Sequence, residues 1–152
     1  MKILVSDKIA KAGIDILGQH ASVDVKPGLS PEELQSIIGN YDALIVRSQT
    51  KVTAEIIAAA DKLQVVGRAG VGVDNIDVTA ATRRGIIVVN SPEGNIISTA
   101  EHTIAMLLSL VRCIPKAHAQ LHSGIWNCSI KGIQVRNKIL GIIYITSYFY
   151  KL

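Results

Sequence analysis

Residues 1–90 predict a doubly wound α/β fold with a parallel sheet, and two observations carry that reading. Short apolar runs recur five times, at Lys2–Val5, Val23–Val25, Asp42–Val46, Val65–Val66 and Ile86–Val89, with helical patterns between them; this alternation builds crossover units with a parallel sheet. From Leu63 to Val89 the order is strand, glycine-rich loop, helix, strand, the layout in which backbone N–H groups and a helix N-terminus receive an anion.

Taken in order, Lys2–Val5 reads as a strand with Asp7 in the turn after it. Ile9, Ile14 and Leu17 share one face of a helix that ends near Gly18. Val23–Val25 is a second strand, closed by Pro27–Gly28. Ser30-Pro31-Glu32-Glu33 starts a helix with a capping serine, proline at the first position and glutamate at the third. Asp42–Val46 is a third strand, and Thr53 opens a helix through Ala60. Val65–Val66, a helix over Ile76–Arg84 and Ile86–Val89 complete the set. This is the flavodoxin-like arrangement. A receiver domain shares it but needs paired acids after the first strand and an aspartate after the third, where Arg47 stands instead.

Beyond these strands the pattern changes. Ser98-Thr99-Ala100-Glu101 reads as a second capping box. Ala100, Ile104, Leu107, Leu108, Val111 and Ile114 then recur at helical spacing to about Leu121, in the longest expected helix, kinked by Pro115. The expected divisions are a domain over 1–95, the start of another over 96–143, and an anomalous tail over 144–152.

The chain has 152 residues, 49% of them apolar, enough for one core. No run reaches the roughly 18 apolar residues of a membrane span, and the N-terminus lacks a signal peptide's apolar stretch, so a cytoplasmic location and no membrane partner are expected. Two cysteines make no disulfide framework. The net charge of +4 is uneven: all twelve acids lie in residues 1–101, and residues 102–152 carry six basic residues and no acid. Those basic residues are scattered, which argues against nucleic acid. His118 and His122 have the spacing of a metal pair, but no third and fourth ligands accompany them, so they read as exposed helix histidines. Cys128 has no neighbouring base and reads as a non-catalytic thiol.

In doubly wound sheets ligands bind at the carboxyl ends of the strands. The loops there hold Asp7, then Arg47-Ser48-Gln49-Thr50, then Arg68-Ala69-Gly70-Val71-Gly72, then Asn90-Ser91-Pro92. Two arginines and a serine at one edge can clamp a carboxylate or phosphate, since the guanidinium fork matches those oxygens. Pairing of the arginines with Asp74 or Glu93 is the competing expectation. Gly70-x-Gly72-x-x-Asn75 nearly matches the dinucleotide fingerprint, with Glu93 about 20 residues on where a ribose acid belongs. Asn75 stands in place of the third glycine, however, so a dinucleotide is not expected there.

GRAGVGVDNID, followed by ATRRGIIVVNSPEGNIISTAEHTIAMLLSLVR, resembles the D-isomer-specific 2-hydroxyacid dehydrogenases from Met1 to about Ile143. The resemblance implies a substrate domain joined to the long helix and first strand of an incomplete Rossmann domain, NAD as cofactor, and a small anionic 2-hydroxy acid as substrate. It assigns substrate contacts to Arg47, Ser48, Arg68, Gly70, Val71 and Gly72, and places Val71 and Asn95 near the nicotinamide. It implies a homo-oligomer through the 98–121 helix. Lys138–Ile143 resembles the strand that leads into the family's dinucleotide loop, but Tyr144–Leu152 follows it with four of the chain's six aromatics and no glycine. The family's catalytic arginine, glutamate and histidine match nothing here, so the piece is expected to be inactive alone. Two alternatives stay open: a non-catalytic anion-binding or subunit-pairing module, and a family branch acting on glyoxylate or hydroxypyruvate.

Overall fold

The computed structural model describes residues 1–143; the expected anomalous tail, 144–152, lies outside the described residues. The elements run β1 (Lys2–Val5), α1 (Lys11–Gly18), β2 (Ser22–Val25), α2 (Pro31–Ile37) with a 3-10 turn (Ile38–Asn40), β3 (Ala43–Val46), α3 (Ala54–Ala58), β4 (Val65–Arg68), α4 (Val78–Arg83), β5 (Ile87–Asn90), α5 (Ile96–Val111) and α6 (Ile114–His122). They form two compact units, Met1–Gly94 and Asn95–Leu152.

In the first unit five parallel strands are ordered β2-β1-β3-β4-β5, the flavodoxin-like order. The register pairs Leu4 with Leu44 and Leu44 with Val66. Those residues face a buried cluster that takes Leu34 and Ile38 after β2, Ile56 and Ile57 from α3, and Ala81 from α4. The alternate residues Ile3, Val5 and Ala43 face the opposite side, against Ile9 and Leu17. Helices therefore cover both faces, as a parallel sheet needs. The second face is open beside β5, where Ile87 and Val89 are 62% and 49% exposed.

The capping box at α2 forms: Ser30 Oγ accepts the Glu33 N–H at 3.2 Å, and Glu33 Oε2 accepts the Ser30 N–H at 2.8 Å. The second expected box does not. Helix α5 begins two residues earlier, at Ile96, and Ser98 Oγ donates to the Asn95 carbonyl at 3.1 Å. Ile96 and Ile97 already lie in the helix, with Asn95 as its non-helical N-cap at φ −141°, so Ser98 sits inside the first turn. Nor does Pro115 kink one long helix. The chain breaks at Cys113, in the left-handed region at φ 56°, and α6 restarts with proline in its first turn, where a missing N–H costs nothing. The two helices are bent by 65°.

Lys138–Ile143, expected as a strand, takes no strand conformation. Strand character there depends on neighbours to pair with, and the described residues offer none; Ile139, Ile142 and Ile143 are 81% exposed or more. No single helix among the described residues is long and apolar enough to cross a membrane.

Candidate functional site

Strand β4 is longer than its apolar run suggests. Gly67 and Arg68, expected in the glycine loop, continue the ladder: Gly67 pairs with Ile45 and Val89, Arg68 with Val46 and Asn90. Gly67 leaves room for Ile45, whose Cδ1 would lie 2.8 Å from a Cβ placed there. The loop proper is Ala69–Asn75. Neither Gly70 nor Gly72 has positive φ, so rotational freedom does not explain them. An added Cβ on Gly70 would collide with the Arg68 guanidinium, and one on Gly72 would come within 2.8 Å of Asp74 Oδ1. Both glycines make room for side chains that fold back over the loop.

The sheet register brings Arg68, at the end of β4, level with Val46, the residue before Arg47 on β3. Arg47 and Ser48 are exposed, and Arg68 is half-buried with its Nε enclosed and lacking a hydrogen-bond partner. Among the described residues the only ion pairs within 4 Å are Lys2–Asp24 and Arg84–Asp61, so neither Arg47 nor Arg68 is neutralised by Asp74 or Glu93. Asp7, Lys8, Arg47, Ser48 and Gln49 line a pocket of about 230 Å³ at this edge. Val71 is 39% exposed. Its carbonyl accepts from Asn90 Nδ2 at 2.6 Å, and the Gly70 carbonyl accepts the Ser91 N–H at 3.0 Å, which ties the glycine loop to the end of β5. Asn95 belongs to the second compact unit.

Two residues carry more of this geometry than the sequence reading assigned them. Asp7, only 2% exposed, accepts three hydrogen bonds from the arginine loop: Arg47 N–H at 2.6 Å and Thr50 N–H at 3.2 Å on Oδ2, and the Thr50 hydroxyl at 2.8 Å on Oδ1. Asn75 donates from Nδ2 to the carbonyls of Arg47 at 2.9 Å and Thr50 at 2.6 Å. A β-bridge between Val52 and Ile76 continues the join. No local pattern signals Asn75's role, because its partners lie 25 and 28 residues away.

The Gly70–Asn75 loop does not fit a dinucleotide. Helix α4 is short and starts only at Val78, and the Asp77 carboxylate already accepts the Ala80 N–H at 2.8 Å. A pyrophosphate would meet a fixed negative charge where it needs free donors. Elsewhere, His118 and His122 pack ring to ring at 4.7 Å, and no group of three His, Cys, Asp or Glu among the described residues is placed to hold a metal ion.

Two arginine-bearing loops at the carboxyl edge of a flavodoxin-like sheet define a class, and the comparisons with known proteins give its family. The model of the D-isomer specific 2-hydroxyacid dehydrogenase catalytic domain matches residues 3–149. The chain belongs to this family. Among its relatives is the D-3-phosphoglycerate dehydrogenase of Synechocystis sp., 54% identical over 93% of this chain and 26% of its own length. The D-3-phosphoglycerate dehydrogenase of Archaeoglobus fulgidus is 51% identical over 94% of this chain and 28% of its own. A solved structure of NAD+-bound 3-phosphoglycerate dehydrogenase from Entamoeba histolytica superposes with a TM-score of 0.66 at 33% identity, over 74% of this chain and 39% of that one. The chain thus spans about a quarter of the length of the curated relatives it matches.

Proposed function

We propose that residues 1–94 form the substrate-binding wall of an NAD-dependent D-3-phosphoglycerate dehydrogenase. The carrying observation is the pair of arginines without ion-pair partners among the described residues, Arg47 and Arg68, held at the ends of adjacent strands. Two guanidinium groups, with Ser48 beside Arg47 in its loop, suit a substrate with two anionic ends, a carboxylate and a phosphate. In this reading the Gly70–Gly72 backbone lies against the substrate, and Val71 borders the nicotinamide. NAD supplies the hydride acceptor when bound; these 152 residues orient the acid and contain no Gly-x-Gly-x-x-Gly loop. The chain by itself therefore binds the substrate class without turnover. Self-association runs through the exposed apolar residues of α5, including Ile104, Met106, Leu108 and Leu110.

The test is calorimetric titration of the chain with 3-phosphoglycerate and, separately, with D-glycerate. The expected result is saturable binding of the phosphate ester, at least tenfold tighter than of D-glycerate, an advantage of about 1.4 kcal/mol or more. Equal affinity for the two favours the glyoxylate or hydroxypyruvate branch, and no binding of either overturns the reading. A parallel titration with NAD is expected to show no saturation. Turnover of 3-phosphoglycerate with NAD by the 152-residue chain would overturn the assignment of inactivity.

A further inference from the structure

We propose that Asp7 and Asn75 are positioning residues that clamp the Arg47–Thr50 loop from opposite sides. The idea rests on the reading of Arg47 and Ser48 as substrate contacts, but the clamp itself stands on geometry alone.

The loop after β3 has two kinds of backbone group to satisfy, and each residue takes one kind. Asp7, buried at the end of β1, takes donors: the N–H groups of Arg47 and Thr50 and the Thr50 hydroxyl. Asn75, at the end of the glycine loop, gives to acceptors: the carbonyls of the same two residues, Arg47 and Thr50. Both ends of Arg47-Ser48-Gln49-Thr50 are thereby fixed in N–H and in C=O, while the side chains of Arg47 and Ser48 stay exposed. Backbone bonds extend the join: Val52 N–H to the Asn75 carbonyl at 2.8 Å and Asp77 N–H to the Val52 carbonyl at 2.8 Å. The loops after β1, β3 and β4 become one unit, and Arg47 inherits its position from two residues that need touch no substrate.

The division of labour is chemically specific. The Asp7 position needs an acceptor oxygen for two N–H groups, which a carboxylate supplies together with a second acceptor for the Thr50 hydroxyl. The Asn75 position needs a double donor. Replacing the Asn75 amide by a carboxylate of the same shape turns two hydrogen bonds into two repulsions. That also explains why asparagine stands where a dinucleotide loop would carry its third glycine: the position here holds an arginine loop instead of admitting a helix.

The test uses the whole chain and two variants, Asn75→Asp and the near-isosteric Thr50→Val, which removes the hydroxyl bonded to Asp7. Hydrogen exchange of peptides covering residues 44–52 reads the clamp without any ligand. Exchange there is expected to rise about tenfold in each variant, the scale of one lost hydrogen bond, while peptides from β1 and β4 stay unchanged. Unchanged exchange at 44–52 in both variants overturns the clamp, and a rise spread evenly over the unit assigns these residues to general stability and also overturns it. Titration with 3-phosphoglycerate then reads the consequence. Weaker binding by about tenfold or more in both variants supports positioning. Faster local exchange with unaltered binding overturns the link to Arg47, and absence of binding by the unsubstituted chain refutes the substrate reading while the exchange result still decides the clamp.

Discussion

Gly70 has an ordinary φ, so space explains it: an added methyl would strike the Arg68 guanidinium. Gly70→Ala is therefore expected to displace the flexible Arg68 guanidinium and to weaken binding of a phosphate ester, though less than Arg68→Ala does. In the Arg68→Ala background the same methyl should cost almost nothing, and a double-mutant cycle by calorimetry reads this coupling. Fully additive losses would mean that Gly70 acts on the ligand directly. A second residue-level prediction concerns Tyr41, 2% exposed, whose hydroxyl donates to Asp24 Oδ2 at 2.8 Å. Burial, then the Asp24 hydrogen bond, push the phenol up to about 12 from its ordinary value of 10.0. The folded state thus holds the proton more tightly than the unfolded state. The resulting stability is fully present below pH 10 and is lost as the pH rises toward 12. Urea midpoints followed by circular dichroism should fall over that window, and Tyr41→Phe should flatten the fall.

Where a helix begins depends on whether its first turn is decided locally or by its surroundings. At α2 everything needed lies within four residues, Ser30 to Glu33, and the capping box stands as the sequence predicts. Ser30→Ala should cost about 1 kcal/mol, measured as a lowered thermal midpoint. At α5 the same kind of signature misled. Ser98 and Glu101 resemble a cap, yet Ile96 and Ile97 already lie in the helix, because nothing in those residues forces an end to it. The break at Cys113 was equally hidden, since a left-handed cysteine has no sequence signature. The five strands were legible because each is a short apolar run closed by polar or turn residues. The end of β4 was not, since Gly67 and Arg68 look like loop residues and are held in the ladder by β3 and β5. Of the site, the arginines and Ser48 could be found from chemistry and position. Asn75 could not, because its function is set by partners on another strand's loop.

For the molecule as a whole, the apolar surface is unevenly placed. Leu110, Trp126, Ile139, Ile142 and Ile143 are between 75% and 101% exposed, and ILGIIYITSYFY carries no charge and no proline. Such segments associate. Sedimentation is expected to show oligomers for residues 1–152 and a smaller species for residues 1–92 at equal concentration; a monodisperse monomer of the whole chain would contradict this. The central claim is that the carboxyl edge of the sheet binds a doubly anionic hydroxy acid through Arg47 and Arg68. Titration of the chain with 3-phosphoglycerate, beside Arg47→Ala and Arg68→Ala, tests it most directly. Saturable binding that weakens at least tenfold in each variant, by about 1.4 kcal/mol or more, is the result expected. Binding that both variants leave unchanged would place the ligand elsewhere and contradict the claim.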